Sequence, residues 1–187
     1  MVSKALIPST VVNHSLIKNG MIVVSGVFTL SLLAQVAIPL PFTPVPITGQ
    51  TLGVLLIGLA FGRRLAVSTM LSYLAVGALG LPVFANARAG LIFAPTSGYL
   101  LGMLLSTWIV GGLADRGWAR QPLTLVLTCL ISSVCIFGCG LLVLSFFIPM
   151  NRLLMSGLYP FLLGDLIKST TAVLLVHPAH RFFKILR

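Results

Sequence analysis

Asp165 and Lys168 stand in an otherwise apolar stretch, Gly157-Leu-Tyr-Pro-Phe-Leu-Leu-Gly-Asp-Leu-Ile-Lys168. Each ionisable group at mid-helix in a membrane costs about 2.5–3.5 kcal/mol on insertion scales. Their i,i+3 spacing puts them on one helical face, where they can pair. A packing role is filled more cheaply by two leucines, so the couple points to a ligand, with a self-neutralising structural ion pair as the alternative. Arg88 sits in a connection with no other charge, and its planar guanidinium suits a carboxylate; snorkelling to lipid headgroups is the competing reading. Asn86 and Gln50 can both donate and accept, or can merely satisfy backbone groups in turns. Tyr99 and Trp108 can stack on a ligand or belong to an interfacial aromatic belt. His177 and His180, flanking Pro178, read as interface residues. Cys135 and Cys139 share a helix face near Cys129, but with no His or carboxylate beside them in the sequence they read as small packing residues, and no metal is predicted.

These residues need elements to hold them, and composition dictates which. Of 187 residues 58% are apolar and 7% charged, against about 25% charged in soluble domains, and mean hydropathy is +1.12. Disorder, coiled coil and a small disulfide-stapled fold are excluded, and lipid must be the solvent. The net charge of +10 does not indicate nucleic acid, because the basic residues form no stripe and sit singly or in pairs between apolar runs. Met1–Gly20 lacks the layout of a cleaved signal peptide; residues 11–17 are mildly amphipathic and read as a surface segment or a frayed terminus.

A crossing helix needs about 20 apolar residues. The uncharged stretches are 19–62, 65–87, 89–114, 121–151, 153–164 and 169–180; the first is long enough for two crossings and is broken by Pro39, Pro41, Pro44 and Pro46. The fold class is therefore an all-α membrane protein in a single integral domain, with six transmembrane helices at about 21–38, 49–61, 65–81, 95–114, 123–148 and 159–176. The last ends before Pro178. Lys4, Lys18, Arg63, Arg64, Arg116, Arg120, Arg181, Lys184 and Arg187 then share one side, with only Arg88 and Arg152 opposite. By the positive-inside bias both termini are cytoplasmic. No Gly-x4-Gly-Lys-[Ser/Thr], Gly-x-Ser-x-Gly, His-Glu-x-x-His or paired-carboxylate pattern occurs, so the chain reads as a binding subunit and not an enzyme.

Three blocks together resemble the BioY family, the biotin-binding S components of energy-coupling-factor transporters. They are Ala34-Gln-Val-Ala-Ile-Pro-Leu-Pro-Phe-Thr-Pro-Val-Pro-Ile-Thr-Gly-Gln-Thr51, Gly80-Leu-Pro-Val-Phe84 with Pro95-Thr-Ser-Gly-Tyr99, and the Gly157–Lys168 block. The resemblance spans roughly 20–185 and implies a six-helix S-component fold that takes biotin from outside at the cytoplasmic membrane of a bacterium. It assigns Asp165 and Lys168 to the vitamin, with Asn86 and Arg88 in the outward loop. It implies a membrane coupling protein and two ATPases as partners, and docking through small residues on the first helix, commonly Ala-x-x-x-Ala. This chain has Ser25-Gly-Val-Phe-Thr29 there, small at both ends but without alanine, which leaves open whether a coupling module is used. Biotin's chemistry matches: Asp165 suits the ureido N–H groups, Lys168, Asn86 or Gln50 the ureido carbonyl, and Arg88 the carboxylate. The Pro39–Pro46 loop, with Pro41, Pro44 and Pro46, is expected to act as a stiff lid. Biotin is cargo, and no cofactor is implied. The same fold serving another vitamin, an intramembrane enzyme using Asp165 as base, and a purely structural subunit are the alternatives.

Overall fold

The computed structural model describes residues 16–90 and 94–185, with side chains to 178. Lys4, Arg187 and residues 11–15 of the predicted surface segment lie outside it, as do the side chains of His180, Arg181 and Lys184. Helix α1 runs Leu16–Gln35, and strands β1 (Ala37–Ile38) and β2 (Ile47–Thr48) follow. They pair antiparallel, Ala37 opposite Thr48 and Ile38 opposite Ile47, so the proline segment between them is a loop with pinned ends. Next come α2 (Gln50–Ala78), a 3-10 turn at Ala85–Ala87, α3 (Ser97–Asp115) and a 3-10 turn at Trp118–Arg120. Helices α4 (Pro122–Leu144), α5 (Met150–Gly157) and α6 (Tyr159–Ile185) complete the chain. Among the described residues, five helical segments are long and apolar enough to cross a membrane, the last of them running Met150–Pro178.

The second of those five is not one rod. Gly62 inside α2 has φ 73° and ψ 176°, a conformation open essentially to glycine alone. Gln50 Nε2 donates to Tyr73 Oη at 2.8 Å, although 23 residues of continuous helix would separate them by about 35 Å. The chain therefore doubles back at Gly62, and residues 50–61 lie antiparallel to 63–78. Asp115 Oδ2 accepts the Arg63 N–H at 3.0 Å, covering one of the donors that the second half-helix leaves unpaired at its start.

Helices α2 and α3 are the most enclosed. Close approach to α4 depends on small residues: a Cβ on Gly102 would lie 2.8 Å from Ile136 Cα. Beside it Ser106 and Ser132 share a buried hydrogen bond of 2.6 Å, which removes the cost of two hydroxyls in an apolar interior. One apolar cluster, with Tyr73, Phe84, Tyr99, Ile136 and Phe161, occupies the end away from the Gly62 turn. A second, with Leu59, Val110, Ala114, Leu125 and Val176, fills the end near it. Phe28 on α1, Val134 on α4 and Leu163 on α6 are 64%, 72% and 69% exposed, part of an apolar outer surface too large for water.

Several boundaries differ from the sequence expectation. The first helix begins at Leu16 and gives up 37–38 to β1, because pairing with 47–48 satisfies the backbone there. The segments expected as the third and fourth crossings are helical over 63–78 and 97–115, and α4 ends at Leu144 instead of 148. An unpredicted short helix, α5, starts after Pro149, in a segment where Asn151 and Arg152 interrupt the apolar run. Pro178 does not stop the last helix but sits inside α6. Proline forfeits a single i→i−4 bond, a loss that long apolar helices tolerate when neighbouring groups take up the freed carbonyl.

Candidate functional site

A cavity of about 340 Å³ opens at the end of the bundle opposite the Gly62 turn. That size falls at the lower end of the roughly 300–1,000 Å³ typical of small-molecule sites. Its apolar wall comes from Phe84, Met103, Ile136, Phe137 and Phe161, and its polar groups from Thr48, Gln50, Thr51, Asn86, Arg88, Tyr99 and Lys168. Five separate parts of the chain contribute: β2 with the start of α2, the 84–90 loop, α3, α4 and α6. Only a folded bundle brings them together.

Lys168 reaches the cavity from α6. Its Nζ donates to Thr48 O at 3.0 Å and Thr51 Oγ1 at 2.8 Å, leaving one N–H for a ligand. Asp165 takes a different direction: Ser133 Oγ on α4 donates to its Oδ2 at 2.6 Å, and the carboxylate is not part of the cavity wall. No direct Asp165–Lys168 salt bridge forms, although the two remain close enough to interact through space. The i,i+3 spacing fixes a shared face, but α4 and the β2–α2 junction pack against that face and offer each side chain a hydrogen-bond partner of its own.

Gln50, 4% exposed, is largely occupied with holding the wall. It receives Thr48 Oγ1 at 3.2 Å and donates to Tyr73 Oη, and the Tyr73 hydroxyl in turn donates to Val83 O at 2.9 Å. Tyr73 packs edge-on against Phe84, with ring centroids 5.3 Å apart at 84°. This relay ties β2 to the 84–90 loop. Tyr73 was not singled out from the sequence, yet a phenol in an apolar span must find a polar partner and is a usable signal. Tyr99 lines the cavity with its ring while its hydroxyl donates to Gly157 O at 2.7 Å, so it also anchors the end of α5.

The side chains of Asn86 and Arg88 are exposed and make no hydrogen bond among the described residues, which leaves both available. Pro46 lines the cavity, whereas Pro41 and Pro44 face outward. The loop between them is fastened down: Thr43 Oγ1 donates to Ser156 O at 2.7 Å, and Val45, 5% exposed, plugs into the core. Trp108 is not at the cavity. It carries the Arg63 guanidinium over its ring, 4.6 Å from the centroid, near the Gly62 turn. His177 also lies outside the cavity lining, and no group of three His, Cys, Asp or Glu that could hold a metal occurs among the described residues. Ser25 and Thr29 are exposed on α1, their hydroxyls donating back to Ile22 O and Ser25 O.

Comparison with known proteins bears directly on this arrangement. The sequence signature of the BioY family matches residues 7–185. The chain belongs to the BioY family. Among BioY relatives, the biotin transporter BioY of Thermotoga maritima is 32% identical over 155 residues, covering 81% of this chain and 90% of that protein. The probable biotin transporter BioY of Pyrococcus horikoshii is 37% identical over 134 residues, 71% of this chain and 78% of its own. In structure, the BioY chain is similar to a crystallised S-component for biotin from an ECF-type ABC transporter. The TM-score is 0.79 at 25% identity, over 92% of this chain and 94% of the other. This BioY chain is thus a multi-pass membrane protein with an S-component fold, a transporter subunit and not an enzyme.

Proposed function

We propose that this chain is the biotin-binding subunit of an energy-coupling-factor transporter, taking up biotin across the cytoplasmic membrane. The observation that carries the reading is the cavity itself, in a chain of the BioY family. Aromatic and aliphatic side chains line its middle, and two cations from different elements, Arg88 and Lys168, reach it without an anion in its lining. Biotin has the complementary form: an apolar thiophane, a polar ureido head and an anionic tail. Lys168 and Asn86 are suited to the ureido carbonyl and Arg88 to the carboxylate. Asp165, an acceptor-only group one turn before Lys168, is held by Ser133 outside the cavity lining, and its assignment to the ureido N–H groups requires its side chain to turn from Ser133 toward the cavity when biotin binds. A site that matches buried polar groups one by one rejects analogues lacking them, because each missing partner strands a desolvated group.

Six crossings follow if the Gly62 reversal marks a membrane surface. Lys18 and the basic residues Arg63, Arg64, Arg116 and Arg120 then gather at one end, with Arg88 and Arg152 at the cavity end. The charge bias places the first group in the cytoplasm and opens the cavity outward. The proline loop is the lid, and the Ser25–Thr29 face of α1 is where a coupling protein, itself carrying two ATPases, docks. The reading is tested with purified protein in lipid nanodiscs by titration with biotin and with amide-capped biotin. Saturable biotin binding is expected, and Arg88→Ala should weaken biotin at least tenfold while leaving the amide within threefold of wild type. Absence of biotin binding refutes the function, and equal losses for both ligands refute the carboxylate contact.

A further inference from the structure

The 84–88 turn carries Asn86 and Arg88 into the cavity wall, yet its backbone is unfavourable in isolation. Asn86 has φ 57° and Ala87 φ 54°, two consecutive left-handed residues without a glycine. Asparagine adopts that region with tolerable cost, but alanine does so at a penalty from its Cβ. Something must hold Ala87 there. The turn's own bonds, Phe84 N–H to Arg88 O at 3.1 Å and Arg88 N–H to Ala85 O at 3.4 Å, leave the Ala87 N–H to be satisfied from elsewhere.

That partner is Gln35, the last residue of α1. Its Oε1 accepts the Ala87 N–H at 3.1 Å, and its Nε2 donates to Phe84 O at 3.2 Å. The same amide nitrogen is steadied by Ser31 O of its own helix at 3.3 Å. Donor and acceptor therefore grip both sides of the turn, and neither bond survives if the amide is reversed. Gln35 does not line the cavity, so its contribution passes through the residues it holds.

We propose that Gln35 is a positioning residue for ligand binding: by fixing the left-handed Asn86–Ala87 turn against α1 it aims Asn86 and Arg88 into the cavity. The inference rests on the biotin-binding reading for its affinity readout, but the hold on the turn is measurable without ligand. Four proteins are compared in nanodiscs: wild type, Gln35→Leu, Ala87→Gly and the double variant. Biotin dissociation constants are measured alongside amide hydrogen exchange of 84–90 in the ligand-free state. Gln35→Leu should raise Kd at least fivefold and accelerate exchange at the Ala87 amide. Glycine enters the left-handed region freely, so the double variant should return to within twofold of wild-type affinity. An unfolding temperature close to wild type in Gln35→Leu, with faster exchange at the Ala87 amide, separates positioning from general stability, because a merely destabilised bundle would unfold at lower temperature. If Gln35→Leu does not fold, Gln35→Glu keeps the acceptor for Ala87 but sets a carboxylate against Phe84 O, and should weaken biotin at least threefold. Gln35→Leu within twofold of wild type, no recovery in the double variant, or wild-type affinity in a substituting Gln35→Glu overturns the proposal. If wild type itself fails to bind biotin, the functional reading falls, and unchanged exchange in Gln35→Leu then separately overturns the hold on the turn.

Discussion

Replacing Lys168 by methionine separates what this residue does for the fold from what it does for the ligand. In the ligand-free protein the ammonium donates to Thr48 O and Thr51 Oγ1. Hydrogen bonds to charged groups contribute about 1.5–3 kcal/mol each, so two represent about 3–6 kcal/mol. Against this, a lysine placed within an apolar span costs about 2.5–3.5 kcal/mol on insertion scales, and methionine removes that cost while keeping most of the stem volume. The two partly offset, and the net change in stability should lie between a gain of about 0.5 and a loss of about 3.5 kcal/mol. Binding has no such offset. A lost charge-assisted contact to the ligand, at about 1.5–3 kcal/mol, corresponds to about a 10- to 150-fold rise in Kd. The experiment pairs thermal unfolding in detergent with biotin titration in nanodiscs. Expected is a protein that still purifies as a folded species, with Kd raised at least tenfold. A Kd within twofold of wild type would remove Lys168 from the site. Complete unfolding would show that its bonds to the β2–α2 junction dominate its insertion cost.

Asp165→Asn keeps a group able to accept from Ser133 but loses the charge; biotin Kd should rise at least tenfold with membrane insertion unchanged, and unaltered affinity would count against the assigned role. Gly62→Ala forces a side chain into a conformation that costs on the order of 1–3 kcal/mol, which should appear as a lowered unfolding temperature with little change in biotin affinity while the protein stays folded. Thr43→Val removes the hydroxyl that ties the proline loop to Ser156 O. Biotin should dissociate severalfold faster in stopped-flow displacement, and an unchanged off-rate would mean that the loop is not the closing element.

Much of this architecture could be read from residue types because lipid imposes harsh rules. Charges are expelled from spans, so the Arg63–Arg64 pair alone marked the place where 50–61 turns into 63–78, and the proline quartet marked the loop between β1 and β2. The family resemblance, carried by those prolines and the Gly-Asp-x-x-Lys block, is shown by the family match over 7–185. What escaped were relations between elements. Spacing on α6 puts Asp165 and Lys168 on one face but cannot say that α4 presents Ser133 to one and β2 presents Thr48 to the other. Gln35 carries no signal of its own in the sequence, since nothing in the local pattern shows that it meets a turn some 50 positions later. Trp108 was equally suited to a ligand or an interface, and only packing sends it to Arg63. Helix α5 was hidden because a short amphipathic helix with an arginine does not resemble a membrane span.

The two ends of the bundle are held by different kinds of interaction, and this bears on how a cargo exchanges. Near Gly62 the contacts are close and mostly apolar. Gly111 admits the Arg63 backbone so tightly that a Cβ there would come within 2.7 Å of Arg63 Cα, and buried aliphatic side chains fill the surroundings. Such packing loses its attraction over a fraction of an ångström and does not open by degrees. At the cavity end, loops are held instead by individual hydrogen bonds: Thr43 to Ser156, Gln35 to Ala87, Tyr73 to Val83 and Tyr99 to Gly157. Each of these has a net worth of only about 0.5–1.5 kcal/mol, because water or a ligand can replace the partner. Breaking the Thr43 contact and withdrawing Val45 from the core frees the centre of the proline loop while the β1–β2 pair keeps its ends in register. Opening the cavity therefore requires no helix to leave its neighbours. With that end placed outward, as proposed, entry of biotin is a loop event, and release to the other side must come from a force that the tightly packed end alone does not supply.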